Sequence, residues 1–578
     1  MLYPKLKEIP TSRELIDVFK GYNHNLRIGE GEFYDMKNLS SDNYPVLSPR
    51  HKRGVYAVPA IPQGMVAKDS LCYVDGGDFI INEYPVPMGL KADDTPKTLI
   101  SMGAYVIIMP DKKYINTADL TDYGSIEATV KTTGTVTFSL CKVDGAGYDN
   151  VATQATAPTE PKNMDLWIDT SSTPHQLKQY STTTEMWSAI ATTYIKISAT
   201  GIGKPFNEND GVTISGVESL PDLNASMVVW AKGDNYIVVT GILDQVTTQE
   251  TAITISRKMP NMDFIIESEN RLWGCRYGVA LNGEIVNEIY ACKLGDFKNW
   301  NCFMGISTDS YVATVGTDGQ FTGAITHLGY PLFFKENFVH KVYGNYPANY
   351  QIQTTACRGV QKGCERSLSI VNEVLYYKAR SGICAYDGSL PMEISSALGD
   401  VAYHNAVAGT LGNKYYISMK DASEDWHLFV YDTLKGMWHR EDDTQAVQFC
   451  NCRGDLYYID YSDNQIKTVR GTTGVAETEP IKWEAVTGII GTDSPDKKYI
   501  SRMDVRMSLA VGTRVSFFVE YDSSGEWEHL FTMDGVKLRT FAVPIRPQRC
   551  DHMRLKIIGN GEAKIFSICK TIEQGSDV

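Results

Sequence analysis

A run of short strand cassettes that share a layout but not a sequence constrains this chain most strongly. Five cassettes fall between residues 262 and 470, and each pairs an apolar strand with a turn and a second, aromatic-rich strand. Two examples are Asp263-Phe-Ile-Ile-Glu with Arg271-Leu-Trp-Gly, and Val374-Leu-Tyr-Tyr-Lys with Gly382-Ile-Cys-Ala-Tyr. Similar cassettes at a spacing of roughly 40–50 residues are typical of a β-propeller. Because a single blade buries its two apolar faces only against neighbouring blades, the pattern predicts a ring of blades.

The predicted fold class is therefore all-β, a β-propeller of about six or seven blades with an inserted β domain and a C-terminal β-sandwich. A short helix is expected near the N-terminus, at Thr11–Phe19, where Thr11 or Ser12 would cap it. The expected organisation is an N-terminal wrapping segment (1–55), the first propeller strands (56–117), the inserted β domain (118–258), the main propeller blades (259–475) and the C-terminal β-sandwich (476–578).

Charge argues against a protein that grips nucleic acid. The net charge is −14, and residues 118–250 contain 16 Asp and Glu, seven Lys and no Arg. Phosphate binding depends largely on Lys and Arg, so this segment is a poor candidate for it. No apolar run approaches the roughly 20 residues that span a bilayer, and no secretory signal is expected.

Catalytic motifs are not found in the sequence. It has no sialidase-type Asp-box repeat, no Gly-x-Ser-x-Gly elbow, no His-Glu-x-x-His and no phosphate-binding Gly-x-x-x-x-Gly-Lys loop. We therefore predict that the chain is not an enzyme and has no catalytic residue, cofactor or metal. Acidic residues that a glycosidase would need as a pair are expected in solvated turns: Asp263, Glu267, Glu269 and Asp296.

Other residues that can bind ligands are expected to be structural. The oxygen-rich stretches 144–149 and 460–463 lack the ligand spacing of an EF-hand and are expected to be plain turns. The twelve cysteines form no C-x-x-C pair, and Cys450 and Cys452 are expected to be buried thiols. Four histidines are expected to pack beside aromatic rings rather than bind metal: His327, His340, His404 and His439.

Two surface clusters have a functional alternative to a structural role. Trp167, Trp187 and Trp230 would form a platform for sugar rings if their faces were exposed, or would pack in the core of the insert. The second cluster is basic and would dock on an acidic partner or lie on a solvated strand face: Lys497, Lys498, Arg502, Arg506 and Arg514.

Local passages of the chain resemble proteins of bacteriophages. Pro161-Lys-Asn-Met-Asp-Leu-Trp-Ile-Asp-Thr-Ser, followed by Met186-Trp, resembles a short module of phage structural proteins. The Tyr22–Pro45 segment and the Asn270-Arg-Leu-Trp-Gly and Asn287-Glu-Ile-Tyr-Ala-Cys-Lys-Leu-Gly-Asp passages resemble tail stabilisation or nozzle proteins of short-tailed phages, as do the blade ends at Tyr386-Asp-Gly and Trp438. That family implies a propeller that forms a ring below the portal and adaptor, through which DNA leaves the head.

The resemblance gives the first functional hypothesis, a virion structural protein of a phage tail. Its expected partners are other copies of itself in a homo-oligomeric ring (expected to be a hexamer), the portal, adaptor and other tail proteins, and DNA that passes without specific binding. Such a protein would be made in the host bacterial cytoplasm and located in the virion. Two alternatives stay open: a receptor- or glycan-binding tail protein that uses the 118–258 insertion, and a glycan hydrolase built on a propeller.

Overall fold

The computed structural model describes residues 11–93, 95–280, 283–491, 497–535 and 537–574. Their regular structure is 54 strands and four short 3-10 helices, so the described part of the chain is all-β. Seven antiparallel blades succeed one another as a propeller, with a separate β domain inserted between the second and third. Blades 1 to 5 are separate four-stranded sheets, whereas blade 6 is part of a ten-stranded sheet and blade 7 of a five-stranded sheet. The predicted fold class is thus confirmed, and the described residues form seven blades.

The N-terminal segment consists of six short strands that pair with distant parts of the chain. They are β1 (Thr11–Ile16), β2 (Gly21–Tyr22), β3 (Glu32–Lys37), β4 (Leu39–Ser40), β5 (Ser48–Pro49) and β6 (Gly54–Ala57). The helix expected at Thr11–Phe19 is wrong, because β1 lies antiparallel to the last strand of the chain. Local helix signals are weak, and pairing with a sheet edge overrides them here.

The first two blades follow directly. Blade 1 contains β7 (Pro62–Ala67), β8 (Leu71–Asp75), β9 (Asp78–Ile81) and β10 (Tyr84–Pro87). Blade 2 contains β11 (Thr98–Met102), β12 (Tyr105–Met109), β13 (Lys113–Asn116) and β14 (Tyr123–Ser125). Both blades therefore lie largely within the region assigned to the first propeller strands, although β14 extends beyond residue 117.

The inserted domain begins at Ala128 and ends at Arg257. Its first strands are β15 (Ala128–Lys131), β16 (Val136–Cys141), β17 (Val151–Gln154), β18 (Leu166–Asp169), β19 (Gln176–Ser181), β20 (Met186–Ala189), β21 (Tyr194–Ser198) and β22 (Gly211–Ser215). After the 3-10 helix η1 (Pro221–Leu223) come β23 (Ser226–Val228), β24 (Ala231–Gly233), β25 (Tyr236–Thr240), β26 (Thr247–Gln249) and β27 (Thr254–Arg257). A four-stranded and a five-stranded sheet enclose a core of their own, and β17–β20 form a small third sheet.

Blades 3 to 5 resume the propeller. Blade 3 contains β28 (Phe264–Ser268), β29 (Arg271–Val279), β30 (Ile285–Ala291) and β31 (Tyr311–Thr314). Blade 4 contains β32 (Gly323–His327), β33 (Tyr330–Lys335), β34 (Phe338–Tyr343) and β35 (Gln351–Ala356), with η2 (Pro347–Asn349) before its last strand. Blade 5 follows η3 (Glu365–Ser367) and contains β36 (Ser369–Val371), β37 (Val374–Ala379), β38 (Gly382–Tyr386) and β39 (Met392–Glu393).

Blades 6 and 7 complete the ring with help from the N-terminal segment. After η4 (Ser396–Leu398), blade 6 contains β40 (Tyr403–Leu411), β41 (Lys414–Asp421), β42 (Trp426–Asp432) and β43 (Met437–Arg440). Blade 7 contains β44 (Ala446–Cys452), β45 (Asp455–Asp460) and β46 (Ile466–Thr468), and β6 supplies its outer strand. The short strand β47 (Val475–Ala476) also pairs with β6. Blade 7 therefore combines three strands that follow blade 6 with β6 of the N-terminal segment, and β6 covers a strand edge that would otherwise be open.

The C-terminal region contains seven strands in two sheets. They are β48 (Lys482–Thr487), β49 (Lys498–Leu509), β50 (Arg514–Tyr521), β51 (Glu528–Asp534), β52 (Arg539–Val543), β53 (Met553–Asn560) and β54 (Ala563–Gln574). One sheet has the order β1-β54-β49-β52. The other has ten strands, β40-β41-β42-β43-β2-β3-β48-β53-β50-β51, and joins blade 6 to the C-terminal domain through the N-terminal strands β2 and β3.

Tight turns and apolar clusters explain why these sequences form blades. The first hairpins of blades 3 and 5 turn at Glu269-Asn270 and Asn372-Glu373, and all four residues have positive φ, as a two-residue primed turn requires. Separate clusters fill the interfaces between blades 1 and 2, 2 and 3, 3 and 4, 6 and 7, and 7 and 1, and a larger one spans blades 4 to 6 and the C-terminal domain. The ring is closed where the Gln448 amide exchanges two hydrogen bonds with the Met65 backbone.

Candidate functional site

A central cavity of about 890 Å³ lies where the first strands of the blades converge. Its wall is formed by residues in or next to the first strands of blades 2 to 7: β11, β28, β32, β36, β40 and β44. Concave sites of this size, with a few convergent polar groups, are the usual places for ligands in folded proteins. The charged and polar side chains of this wall therefore define the candidate site.

Asp263 is one of two carboxylates that line the cavity. It immediately precedes β28, and one of its oxygens (Oδ2) accepts a hydrogen bond of 2.8 Å from the backbone N–H of Tyr277. Burial raises the pKa of Asp263, and the hydrogen bond from Tyr277 offsets only part of that effect. Asp263 is exposed in the bend before β28, as expected for a solvated turn, and it also lines the cavity.

Arg366 and Glu365 lie together on η3, the turn that leads into blade 5. The Nη1 of Arg366 donates a 2.7 Å hydrogen bond across the cavity wall to the carbonyl oxygen of Val447 in blade 7. Burial lowers the pKa of Arg366, and the charge of Glu365 opposes that shift. Within the described residues, no carboxylate oxygen comes within 4.0 Å of its guanidinium nitrogens.

Uncharged groups complete the wall. Asn405 and Gln448 present amides from blades 6 and 7, and Trp426 and Tyr461 add aromatic rings. Amides and aromatic faces together suit a ligand that carries hydroxyl groups on an otherwise apolar ring. Sequence reasoning missed Glu365, Arg366 and Asn405, because no local motif marks them; their common signal is a position just before or within the first strand of a blade.

The three tryptophans of the insert do not form one platform. Trp167 and Trp187 pack edge to face with ring centroids 5.5 Å apart, and only 5% of Trp167 is exposed. Trp230 lies in a different cluster, against Tyr194. The three rings therefore do not share one exposed face, although Trp187 and Trp230 are partly exposed, and sugar binding by them stays a prediction.

The basic C-terminal cluster is also divided. Lys498 is buried and donates to the carbonyl oxygen of Gly491, whereas Lys497 is exposed. Arg502 and Arg506 are exposed on β49, and Arg502 pairs with Asp504 in the same strand at 2.8 Å. Arg514 lies on β50, in the other sheet. No single surface thus collects the five charges.

The remaining candidates have structural partners. Glu267 and Asp296 accept hydrogen bonds from backbone N–H groups of their own turns, and Glu269 forms the turn of blade 3. The carboxylates of Asp460 and Asp463 both bind the Lys467 ammonium, at 2.8 and 2.6 Å.

The four histidines named in the sequence analysis differ in burial. His327, His340 and His439 are buried, and His404 lies 3.9 Å from Glu424.

In the oxygen-rich stretch 144–149, Asp144 accepts a hydrogen bond from the Ala146 backbone, as in a simple turn.

Cysteines and metal ligands give no site in the described part of the chain. All twelve cysteines are free thiols; Cys452 is buried and Cys450 is partly buried. Within the described ranges, no group of three or more His, Cys, Asp and Glu is arranged to hold a metal ion. The helices found there are too short to cross a membrane.

Comparisons with known proteins give a weak likeness to solved propeller enzymes. No family model and no curated protein matches the chain. An exo-β-1,3-galactanase from Phanerochaete chrysosporium is 9% identical, with 53% of this chain and 94% of that chain covered and a TM-score of 0.21. A GH43 glycoside hydrolase engineered to display endo-xylanase and exo-arabinofuranosidase activity is also 9% identical, with 54% and 96% covered and a TM-score of 0.20. An acylaminoacyl peptidase from Pyrococcus horikoshii is 10% identical, with 56% and 49% covered and a TM-score of 0.23.

One prediction is corrected by these comparisons. The chain was predicted not to be an enzyme, but the solved structures that it resembles weakly are enzymes. That prediction is therefore not carried further. At these TM-scores the likeness transfers no catalytic residue and no substrate, so any activity must be argued from the chain's own cavity.

Proposed function

We propose that the chain is a virion structural protein of a bacteriophage tail, which assembles into a ring around the path of DNA exit. The observation that carries this proposal is the ten-stranded sheet, which runs from blade 6 through β2 and β3 into the C-terminal domain. Continuous backbone hydrogen bonding of this kind joins the propeller and the C-terminal domain into one stiff body. Stiffness across domains is what a component of a mechanical assembly requires, whereas simple linkers leave domains free to move.

The residues that resemble the phage family lie at structural joints. Tyr22 pairs with Trp438 where the N-terminal segment meets blade 6. In blade 3, the buried guanidinium of Arg271 donates to the carbonyl oxygens of Cys292, Ser307 and Asp309 at 2.6–2.9 Å. These contacts give the resembling residues a role in the architecture, which supports the proposal.

Electron microscopy of the purified protein and of virions tests this function. We expect a closed ring on the tail axis, with a central hole wide enough for duplex DNA. Particles that are monomeric in solution and are not found on the tail axis of virions would contradict the proposal. The matched control is the same protein without residues 128–257. It should still assemble into the oligomeric ring if the propeller and the C-terminal domain form the contacts between copies.

A second candidate function, glycan binding with hydrolysis, is favoured by the central cavity. Asp263 and Glu365 supply two carboxylates there, and glycosidases use a carboxylate pair in which one group has a raised pKa. We expect Asp263→Asn and Glu365→Gln each to lower the release of reducing ends from polysaccharides at least 100-fold. Asp534→Asn, at an exposed site in the C-terminal domain, is the control. A purified protein that releases no reducing ends from a broad polysaccharide panel would contradict this second candidate function.

A further inference from the structure

Of the two cations that line the central cavity, Arg366 is the one without a carboxylate oxygen of the described residues within 4.0 Å. The other lining cation, Lys97, is buried and holds the Asp111 carboxylate at 2.6 Å. Arg366 spends one N–H group on the Val447 carbonyl, and a guanidinium has five N–H donors. Several donors of Arg366 therefore remain available to a molecule in the cavity.

A partly desolvated guanidinium with free donors selects for a planar anion. Arginine binds carboxylates through two parallel N–H···O hydrogen bonds, and such pairs are stronger when water is excluded. The backbone contact to Val447 fixes one edge of the group, so the remaining donors are held in place before a ligand arrives. Pre-ordering of this kind lowers the entropic cost of binding.

The rest of the wall fits a sugar that carries such an anion. Asn405 and Gln448 can exchange hydrogen bonds with hydroxyl groups, and Gln448 is held rigidly because its amide is bonded to Met65. Asp263 and Glu365 would repel a ligand with many negative charges. A sugar with one carboxylate and several hydroxyl groups satisfies both conditions.

We propose that the central cavity binds an acidic saccharide, a uronate or sialate-type sugar, whose carboxylate pairs with Arg366. This inference rests on the second proposed function, that the cavity takes a glycan. It assigns to Arg366 the selection of acidic over neutral sugars, whether or not Asp263 and Glu365 cleave the chain.

Calorimetric titration of the full-length protein with matched saccharide pairs tests the inference. Each pair is a saccharide with a single carboxylate, such as a glucuronyl disaccharide or sialyllactose, and its methyl ester, in which a methyl group replaces the charge. We expect at least one acidic member to bind at least tenfold more tightly than its ester, and this preference should decrease with added salt. Equal affinity within every pair that binds would overturn the role of Arg366 and leave the glycan function intact.

If no member of any pair and no neutral oligosaccharide binds, both the inference and the glycan function fail together. If an acidic saccharide binds, three variants test whether Arg366 is responsible for the preference. Arg366→Gln should abolish the preference, Arg366→Lys should keep part of it with the Val447 contact, and the exposed Arg506→Gln should change nothing. Because Arg366 also links blades 5 and 7, the thermal midpoint of each variant is measured beside its affinity. A preference that persists in a folded Arg366→Gln protein would contradict the assignment.

Discussion

Arg53, at the end of the N-terminal segment, is buried beside two carboxylates that follow blade 6. Its guanidinium lies 2.9 Å from Glu441 and 2.8 Å from Asp442, and the Arg53 and Glu441 side chains are almost fully buried. Removal of one partner from such a group leaves an uncompensated charge in a medium of low polarity. Loss of the Arg53 side chain is therefore expected to lower the free energy of unfolding by more than the loss of its packing contacts alone.

We expect Arg53→Gln to lower the free energy of unfolding by about 3–5 kcal/mol, because Glu441 would stay buried without its counter-ion, although Asp442 would keep Arg50 at 3.8 Å. Chemical denaturation followed by tryptophan fluorescence measures the change. The control is Arg514→Gln, which breaks a solvent-exposed pair with Asp534 and should leave the free energy of unfolding nearly unchanged. Similar losses for the two variants would contradict the argument.

The buried histidines make stability depend on pH. Burial, reinforced by the charge of Lys414, lowers the pKa of His439 to about 3, and burial lowers that of His340 to about 4. An unfolded histidine has a pKa of about 6.5, so the unfolded chain binds these protons first as the pH falls. The stability that the neutral histidines contribute is therefore fully present above pH 6.5, and it is lost as the pH falls towards 4 and 3.

Between pH 6.5 and 4.5 we expect each of these histidines to reduce the free energy of unfolding by about 1.4 kcal/mol per pH unit. His439→Gln should flatten this dependence, whatever its effect at neutral pH, because the new side chain does not titrate. Thermal midpoints measured across this pH range provide the slope. The exposed His529→Gln should keep the slope of the parent protein; an unchanged slope in His439→Gln would refute the assignment.

Individual blades form because each hairpin pairs locally, but the ring forms only where neighbouring blades fit together. Gly64 in β7 shows how close that fit is. A Cβ atom at this position would lie 2.6 Å from the carbonyl oxygen of Lys97 and 2.5 Å from Leu99 in blade 2. The first strands of blades 1 and 2 therefore approach each other at a distance that only glycine permits.

Gly64→Ala should lower the thermal midpoint by several degrees, because the methyl group forces blades 1 and 2 apart. Gly316→Ala is the matched control: a Cβ atom there meets nothing within 4 Å, and its φ is not positive. Differential scanning fluorimetry compares the two proteins. Equal midpoints would show that the blades can separate without loss of stability.

Sequence patterns predicted elements of the propeller better than its edges or its centre. Alternation and aromatic strand ends identified cassettes such as Val374–Ala379, because each blade repeats one packing problem. A helix was expected at Thr11–Phe19, where the strand β1 lies, because the strand that pairs with β1 is more than 550 residues away. Arg366 and Asn405 were not singled out, because their convergence depends on the closure of the ring and not on any local spacing.

At the scale of the whole molecule, the inserted domain is distinct from the rest of the fold. Its core contains residues from Val136 to Ile255 only. It is attached to blade 3 through Asp210, which pairs with Arg257 and accepts a 2.9 Å hydrogen bond from Asn299. The N-terminal segment, in contrast, binds the propeller and the C-terminal domain through shared sheets.

We therefore expect two calorimetric transitions, one for the insert and one for the rest of the protein. Phe138→Ala, in the insert core, should shift only the transition of the insert and lower the free energy of unfolding of that domain by about 3–5 kcal/mol. Phe517→Ala, in the C-terminal domain, should shift only the second. A single transition that moves in both variants would mean that the insert is thermodynamically coupled to the body.

The pairing of the first strands with the last has a consequence for biosynthesis. β1 pairs with β54, β3 with β48 and β6 with β46, so each of these N-terminal strands lacks its partner until more than 400 further residues have been synthesised. Middle blades can form hairpins during synthesis, because their strands are neighbours in sequence. The nascent chain must meanwhile hold an unpaired N-terminal segment, which is exposed to wrong partners and to the chaperones that guard against them. Completion of blade 7 thus waits for strands that are distant in sequence from the N-terminal segment.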